Sequence, residues 1–259
     1  LPDFFRLIQN EMMKQFERTR TYVMLGFYIV VSFCSAFVLK YMEKASGRPE
    51  DLWGFFEFDS HLLPIAQILT VVIAGDIVSS EFNWGTVKML LIRPARRIKI
   101  LWAKYVTVLL FSVIFVVTLI VCSFLFGAVF FGVTSAYGSP VPLIKELITT
   151  YSLYFVEIVM MATLAFMLSA WTRSSSVAIG LSVFLVFAGA VLIEFLNMFG
   201  FAWGKYLLFA NMDFTQYLSG GQPPYPGMSA TFSVIVLLVY FILFHIISWW
   251  AFAKRDITV

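Results

Sequence analysis

Residues 105–144 read YVTVLLFSVIFVVTLIVCSFLFGAVFFGVTSAYGSPVPLI, and no side chain between Lys104 and Lys145 is charged. A helix crosses about 30 Å of hydrocarbon with about 20 residues. This stretch is longer than one crossing. It predicts a membrane span over 106–130 followed by an outer loop at 132–142, where glycine, serine and proline collect.

The same punctuation by charge can be followed outward in both directions. The run between Arg20 and Lys40 predicts a first span at about 21–39, and the run after Asp59 a second at about 62–80, with Asp76 inside it. Beyond the opening stretch come a fourth span at about 147–171, containing Glu157, and a fifth at about 176–194, ending at Glu194. A last span at about 229–252 holds His245. The expected fold is an all-α integral membrane protein of six transmembrane helices, forming one domain over 1–259.

Composition agrees with this. Of 259 residues, 61% are hydrophobic and only 13% charged, against about 45–50% and about 25% in a soluble domain. Mean hydropathy is +0.89. Disordered chains are poor in aromatics, and 29 Phe, 11 Tyr and 7 Trp exclude that class. The net charge of +3 comes from thinly spread basic residues with no basic face, so nucleic acid is not an expected partner. Cys34 and Cys122 sit in apolar runs without metal-ligand spacing and read as small buried residues.

Six crossings put both termini on one side. Thirteen of the 18 Lys and Arg residues fall on that side and five on the other. The positive-inside rule then makes both termini cytoplasmic in a plasma membrane.

Three segments do not fit a simple serpentine. In 3–20, Phe4, Ile8, Met12 and Phe16 recur every four residues, and Asp3 is placed to cap the helix. This reads as an amphipathic helix in the headgroup layer. Residues 81–105 form a long basic inner loop divided by Gly85 and Pro94. A turn of four to six residues would suffice there, so the excess reads as a docking knob for a cytoplasmic partner; the bland reading is a topology anchor. Residues 195–228 are too apolar for a free loop and too interrupted for a span. They read as short helices dipping into the outer leaflet and returning, which needs packing against protein. The spacing of Gly200 and Gly204 permits close helix packing.

The chain contains no phosphate-binding loop, no H-E-x-x-H, no G-x-S-x-G and no C-x-x-C. Enzymatic chemistry of those kinds is not expected, nor a metal site. Intramembrane ionisable residues are the remaining signal, because each is costly. Glu157 reads either as a carboxylate facing a central cavity or as a stitch between helices. Asp76 is expected to pair with a partner such as Lys104 or Arg173, and His245 to be a hydrogen-bonded bundle residue.

The ordered set Ala74-Gly75-Asp76-Ile77-Val78, Glu81-Phe82, Gly85-Thr86-Val87-Lys88, Leu90-Leu91, Arg93-Pro94 and Arg97 resembles the signature region of the type-2 membrane permeases of ABC transporters. The likeness extends to Asn10-Glu11, Lys14, Arg18 and Arg20, to Lys205-Tyr206-Leu207-Leu208-Phe209, and to Phe252-Ala253-Lys254-Arg255-Asp256. It implies a bacterial half-transporter that pairs with a second permease, identical or paralogous, and is driven by a dimer of cytoplasmic ABC ATPases. ATP and magnesium would be bound by those partners, with no cofactor in this chain.

The resemblance also assigns roles to the odd segments: 3–20 as connecting helix, 82–93 as coupling helix and 195–228 as the re-entrant closure. Glu81, Phe82, Trp84, Gly85, Thr86, Lys88 and Arg93 become the ATPase-coupling residues. Apolar and aromatic side chains of the second and fifth spans would line the path, suiting hydrophobic or amphipathic cargo such as a peptide antibiotic, drug or lipid, with export as the direction. Two other classes remain open: a membrane sensor or assembly partner of an ABC ATPase, and a secondary transporter using Glu157. No internal repeat between 1–130 and 131–259 supports the latter.

Overall fold

The structure is a computed structural model and describes residues 2–47, 49–83, 97–133, 141–218 and 221–253. Among the described residues the regular structure is entirely helical. In chain order the helices are α1 (Pro2–Phe16), α2 (Thr19–Ser46), α3 (Leu52–Ser60), α4 (Leu63–Ile77), α5 (Ser79–Asn83), α6 (Arg97–Phe131), α7 (Val141–Thr172), α8 (Ser175–Met198), α9 (Leu208–Met212) and α10 (Ala230–Ala253).

Five of these helices (α2, α6, α7, α8 and α10) are long and apolar enough to cross a membrane. The pair α3 and α4 passes the same test together, but is bent by 44° at His61 and Leu62. Phe27 and Phe37 on α2, Phe184 and Phe187 on α8, and Leu238 and Ile242 on α10 are exposed. Surfaces of that kind are stable only in lipid. The chain is a multi-pass membrane protein.

Lipid removes the hydrophobic drive between helices, so close packing and polar contacts must hold them together. The centre is α4 against α7, with α6 and α8 also packed on α4. On α7 every residue from Met160 to Ala170 is buried. Gly75 of α4 lies against α8: a Cβ there would stand 3.1 Å from the Ile179 nitrogen and 3.2 Å from its Cα. No side chain fits at that crossing. A second cluster gathers Tyr28, Phe111, Phe115 and Leu119 around α4, with Met12 and Phe16 of α1 packed on its edge.

Several boundaries differ from the sequence reading. The amphipathic helix begins at Pro2, so Asp3 lies in its first turn rather than at a cap, and it ends at Phe16. Thr19 already belongs to α2, which runs past Lys40 and Lys44 to a left-handed cap at Gly47 (φ 68°). The second predicted span is shorter than expected, breaking at Val78 before the five-residue α5. Before it, Asp59 is not a loop boundary. It is fully buried and accepts hydrogen bonds from Ser32 (2.7 Å), Ser35 (2.6 Å) and Ser123 (2.6 Å) of α2 and α6. Three hydroxyl donors let a carboxylate stay inside, which charge counting does not foresee. Lys104, also used as a boundary, lies within α6 at 1% exposure. The other spans fall inside α6, α7, α8 and α10, with α6 starting well before the expected 106, at Arg97, α7 before the expected 147, at Val141, and α10 one residue later than expected, at Ala230. The predicted loop at 132–142 is partly replaced by the start of α7 at Val141, and 134–140 lie outside the described residues. Cys122 is buried but Cys34 is exposed on the lipid face, and both are free thiols.

The described part of 195–228 comprises a 3-10 turn at Ala202–Tyr206, α9, and a second 3-10 turn at Thr215–Tyr217. Asn211, fully buried, fastens it. Its Nδ2 donates to the Lys205 and Leu207 carbonyls at 2.8 Å each, and its Oδ1 accepts from Ser233 of α10 at 2.7 Å. Gly200 is a turn residue (φ 72°) and Gly204 packs beneath Tyr225, so the two glycines do not form one helix-packing face.

Candidate functional site

At the end of the bundle where α1 lies, charges from α1, the α1–α2 link, α2, α4, α5 and α6 converge. Lys104 is at their centre. Its Nζ donates to Glu11 Oε2 at 2.6 Å, Glu81 Oε1 at 2.9 Å and the Ile77 carbonyl at 3.1 Å. An ammonium has three protons to donate, and all three are used. Lys14 closes the ring, donating to Glu11 Oε1 at 2.8 Å and Glu81 Oε1 at 2.9 Å. Burial works to lower the Lys14 pKa, but Glu11 and Glu81 outweigh it and hold the ammonium above its usual value.

Beside this ring, Asp76 in the last turn of α4 accepts from Arg18 and, at 2.8 Å, from Arg20. Arg18 also reaches Ser80 Oγ at 3.2 Å. The sequence offers a partner such as Lys104 or Arg173 for Asp76; in the structure Arg18 and Arg20 form its ion pairs. The break between α1 and α2 swings Arg18 and Arg20 over the end of α4, while Lys104 is held by the two glutamates. Glu11, Asp76 and Glu81 are all buried. Four cations thus face three buried carboxylates across elements far apart in sequence. The sequence signal for Lys104 was its flank of Leu101, Trp102, Ala103 and Tyr105, which marks a lysine inside a helix rather than beside one.

The α4–α5 break is supported from the other side by hydroxyls. Ser169 Oγ of α7 accepts from the Val78 and Ser79 amides at 3.3 and 3.0 Å. Ser79 Oγ donates to the Gly75 carbonyl at 2.8 Å and lies 2.9 Å from Ser175 Oγ, which also accepts from Asn83 at 3.1 Å. Interrupted helix at membrane depth survives only where its backbone groups find such partners. Arg173, at φ 55° in the turn between α7 and α8, sets its guanidinium 4.6 Å from the Phe82 ring centre. Phe82 in turn meets Phe252 edge to face at 6.4 Å.

Of the predicted coupling residues, Glu81 and Phe82 therefore sit on α5, both turned toward the bundle. Trp84, Gly85, Thr86, Lys88 and Arg93 lie outside the described residues.

The remaining intramembrane polar residues are separate from this site. Glu157 accepts from Gln67 Nε2 of α4 at 3.1 Å, and Tyr154 donates to Gln67 Oε1 at 3.3 Å. It also lines a cleft of about 530 Å³. His245 is 2.9 Å from the Phe241 carbonyl through Nδ1 and stacks on Trp102 with centroids 5.1 Å apart. Among the described residues no group of three or more His, Cys, Asp or Glu side chains is arranged to hold a metal.

Bundle and ion cluster together define an all-helical multi-pass membrane protein whose first helix is tied by ion pairs to α5 and α6. The chain belongs to the protein family of unknown function DUF2705, whose model matches residues 14–258. Two relatives from Bacillus subtilis (strain 168) are similar. One, described as the uncharacterized protein YhcI, is 41% identical over 218 residues, covering 80% of this chain and 69% of the relative. The other, described as the uncharacterized membrane protein YdbK, is 36% identical over 247 residues, covering 95% of this chain and all of the relative.

Proposed function

We propose that the chain is the permease subunit of an ATP-driven ABC exporter in a bacterial plasma membrane. In this reading α3 and α4 count as one bent crossing, giving six, with both termini cytoplasmic. Two such permeases, identical or paralogous, enclose a path for hydrophobic or amphipathic cargo. Two separate ATPase subunits bind ATP and magnesium and dock from the cytoplasm on the loop after Asn83.

The observation that carries this reading is the mounting of that loop. Its root, α5, is joined through Glu81 to Lys104 of α6 and Lys14 of α1, and through Ser79 and Asn83 to the start of α8. Removing one partner of a buried ion pair costs about 3–5 kcal/mol. A push on the loop therefore moves α1, α4, α5, the start of α6 and the start of α8 as a unit rather than bending the root. A mere topology anchor needs basic residues but no such mount. For the stroke to do work, the ATPase must bind the inward and outward arrangements with different affinity.

The test is to purify the chain from its native membrane and identify what accompanies it. An ABC ATPase is expected, with ATP turnover altered by the permease and reduced at least fivefold in the Lys88→Glu, Arg93→Glu variant. A chain that carries no ATPase, or turnover indifferent to those changes, would overturn the proposal. Cargo movement in vesicles without any ATPase would favour a secondary transporter instead.

A further inference from the structure

Resting on the permease reading, we propose that the cleft over Glu157 and Asp213 is the binding seat for cargo of one chemical class: a drug-sized organic cation with an apolar body. The cleft is assembled from four places. Ser60, His61 and Leu63 come from the α3–α4 bend, Tyr154 and Glu157 from α7, Val186 from α8, and Phe209, Met212 and Asp213 from the segment around α9. Its volume of about 530 Å³ lies within the roughly 300–1,000 Å³ typical of small-molecule sites. That is too small for a whole peptide or phospholipid.

The lining sets the charge of the occupant. Glu157 and Asp213 are both there, and the described lining contains no lysine or arginine. Two like charges facing one space oppose each other, and a cation between them relieves the repulsion. Among the described residues both carboxyl groups are oriented by hydrogen bonds and neither is held in an ion pair. Glu157 Oε1 is held by Gln67, and both hydrogen bonds to Asp213, from the Thr215 amide and hydroxyl, fall on Oδ1. Leu63, Val186, Phe209 and Met212 supply the apolar walls that a hydrated inorganic ion would not use.

The position suits a path closure as well. Phe209 and Asp213 belong to or flank α9, so the segment that Asn211 fastens to α10 also forms one wall of the seat. Withdrawal of that wall would open the cleft and take one of its two carboxylates away.

The experiment compares tetraphenylphosphonium and tetraphenylborate, ions of nearly the same size and shape but opposite charge. Binding to the full-length chain in lipid nanodiscs is followed by equilibrium binding of the labelled ions. The cation is expected to bind saturably and at least tenfold more tightly than the anion. Glu157→Gln should weaken cation binding at least tenfold and Asp213→Asn several-fold. Glu57→Gln, on the exposed side of α3, should leave it unchanged. Asp213 is exposed, so its variant keeps the test valid should Glu157→Gln fold poorly, and thermal unfolding checks both. Equal affinity for the two ions, or unchanged affinity in both variants, would overturn the proposal. The measurement needs no ATPase. Cation binding without ATPase coupling would sink the exporter reading alone, and ATPase coupling without cation binding would sink this inference alone.

Discussion

Lys104 Nζ on α6 lies 2.6 Å from Glu11 Oε2 on α1, although 93 residues separate them. The contact fixes the amphipathic α1 to the first turns of the long apolar α6. The Lys104 side chain is only 1% exposed, so its charge depends on its partners Glu11 and Glu81.

Lys104→Met takes the buried one of two shared cations from Glu11 and Glu81 and leaves them Lys14, whose side chain is 39% exposed. We expect a loss of about 3–5 kcal/mol, read as a lowered unfolding temperature in detergent. Adding Glu81→Gln should recover part of the loss, because the second variant removes one surplus negative charge. Additive losses in the double variant would contradict the ring.

Asp76→Asn should cost less, about 1–2 kcal/mol. Its partners Arg18 and Arg20 have side chains 30% and 33% exposed, so both can turn to solvent or headgroups when released. The same unfolding assay should therefore rank Asp76→Asn clearly above Lys104→Met in stability.

Gly75→Ala places a methyl carbon within 2.9 Å of Ile179 Cγ1 and within 3.2 Å of its backbone. Overpacking of this kind costs about 1–3 kcal/mol. Ile179→Ala should rescue the variant only in part, because it removes the side-chain clash and leaves the backbone one. Full rescue in a thermal unfolding comparison would mean that α4 and α8 are less tightly apposed than described.

Asn211→Leu removes three hydrogen bonds and leaves the Ser233 hydroxyl without its Asn211 acceptor. A penalty of about 2–3 kcal/mol is expected, concentrated locally. Hydrogen exchange should quicken over 202–217 while the amides of α4 and α7 keep their protection. Uniform acceleration across the chain would argue against a separately fastened segment.

The long apolar helices were legible because hydrophobic length is a local property. Residues 105–144 need no knowledge of their neighbours to read as membrane-embedded. The break at Val78 was not legible, since nothing in Asp76-Ile77-Val78-Ser79 announces it. It is permitted by Ser169, some 90 residues away, which receives the Val78 and Ser79 amides. The partners of Asp76 were not legible for a related reason: Arg18 and Arg20 reach it only because α1 stops at Phe16 and the chain turns.

The sequence by itself determined that the chain lives in lipid, roughly where its long apolar helices run, and which few residues carry charge into them. Only the tertiary structure decided which of those charges are compensated and which face a cleft. Lys104 and Asp59 look like borders in one dimension, yet each is buried among partners drawn from other helices. The physical reason is that the cost of an apolar residue in water is set by the residue alone. The cost of a charge in lipid is set by whatever donors and acceptors the fold brings within about 3 Å of it.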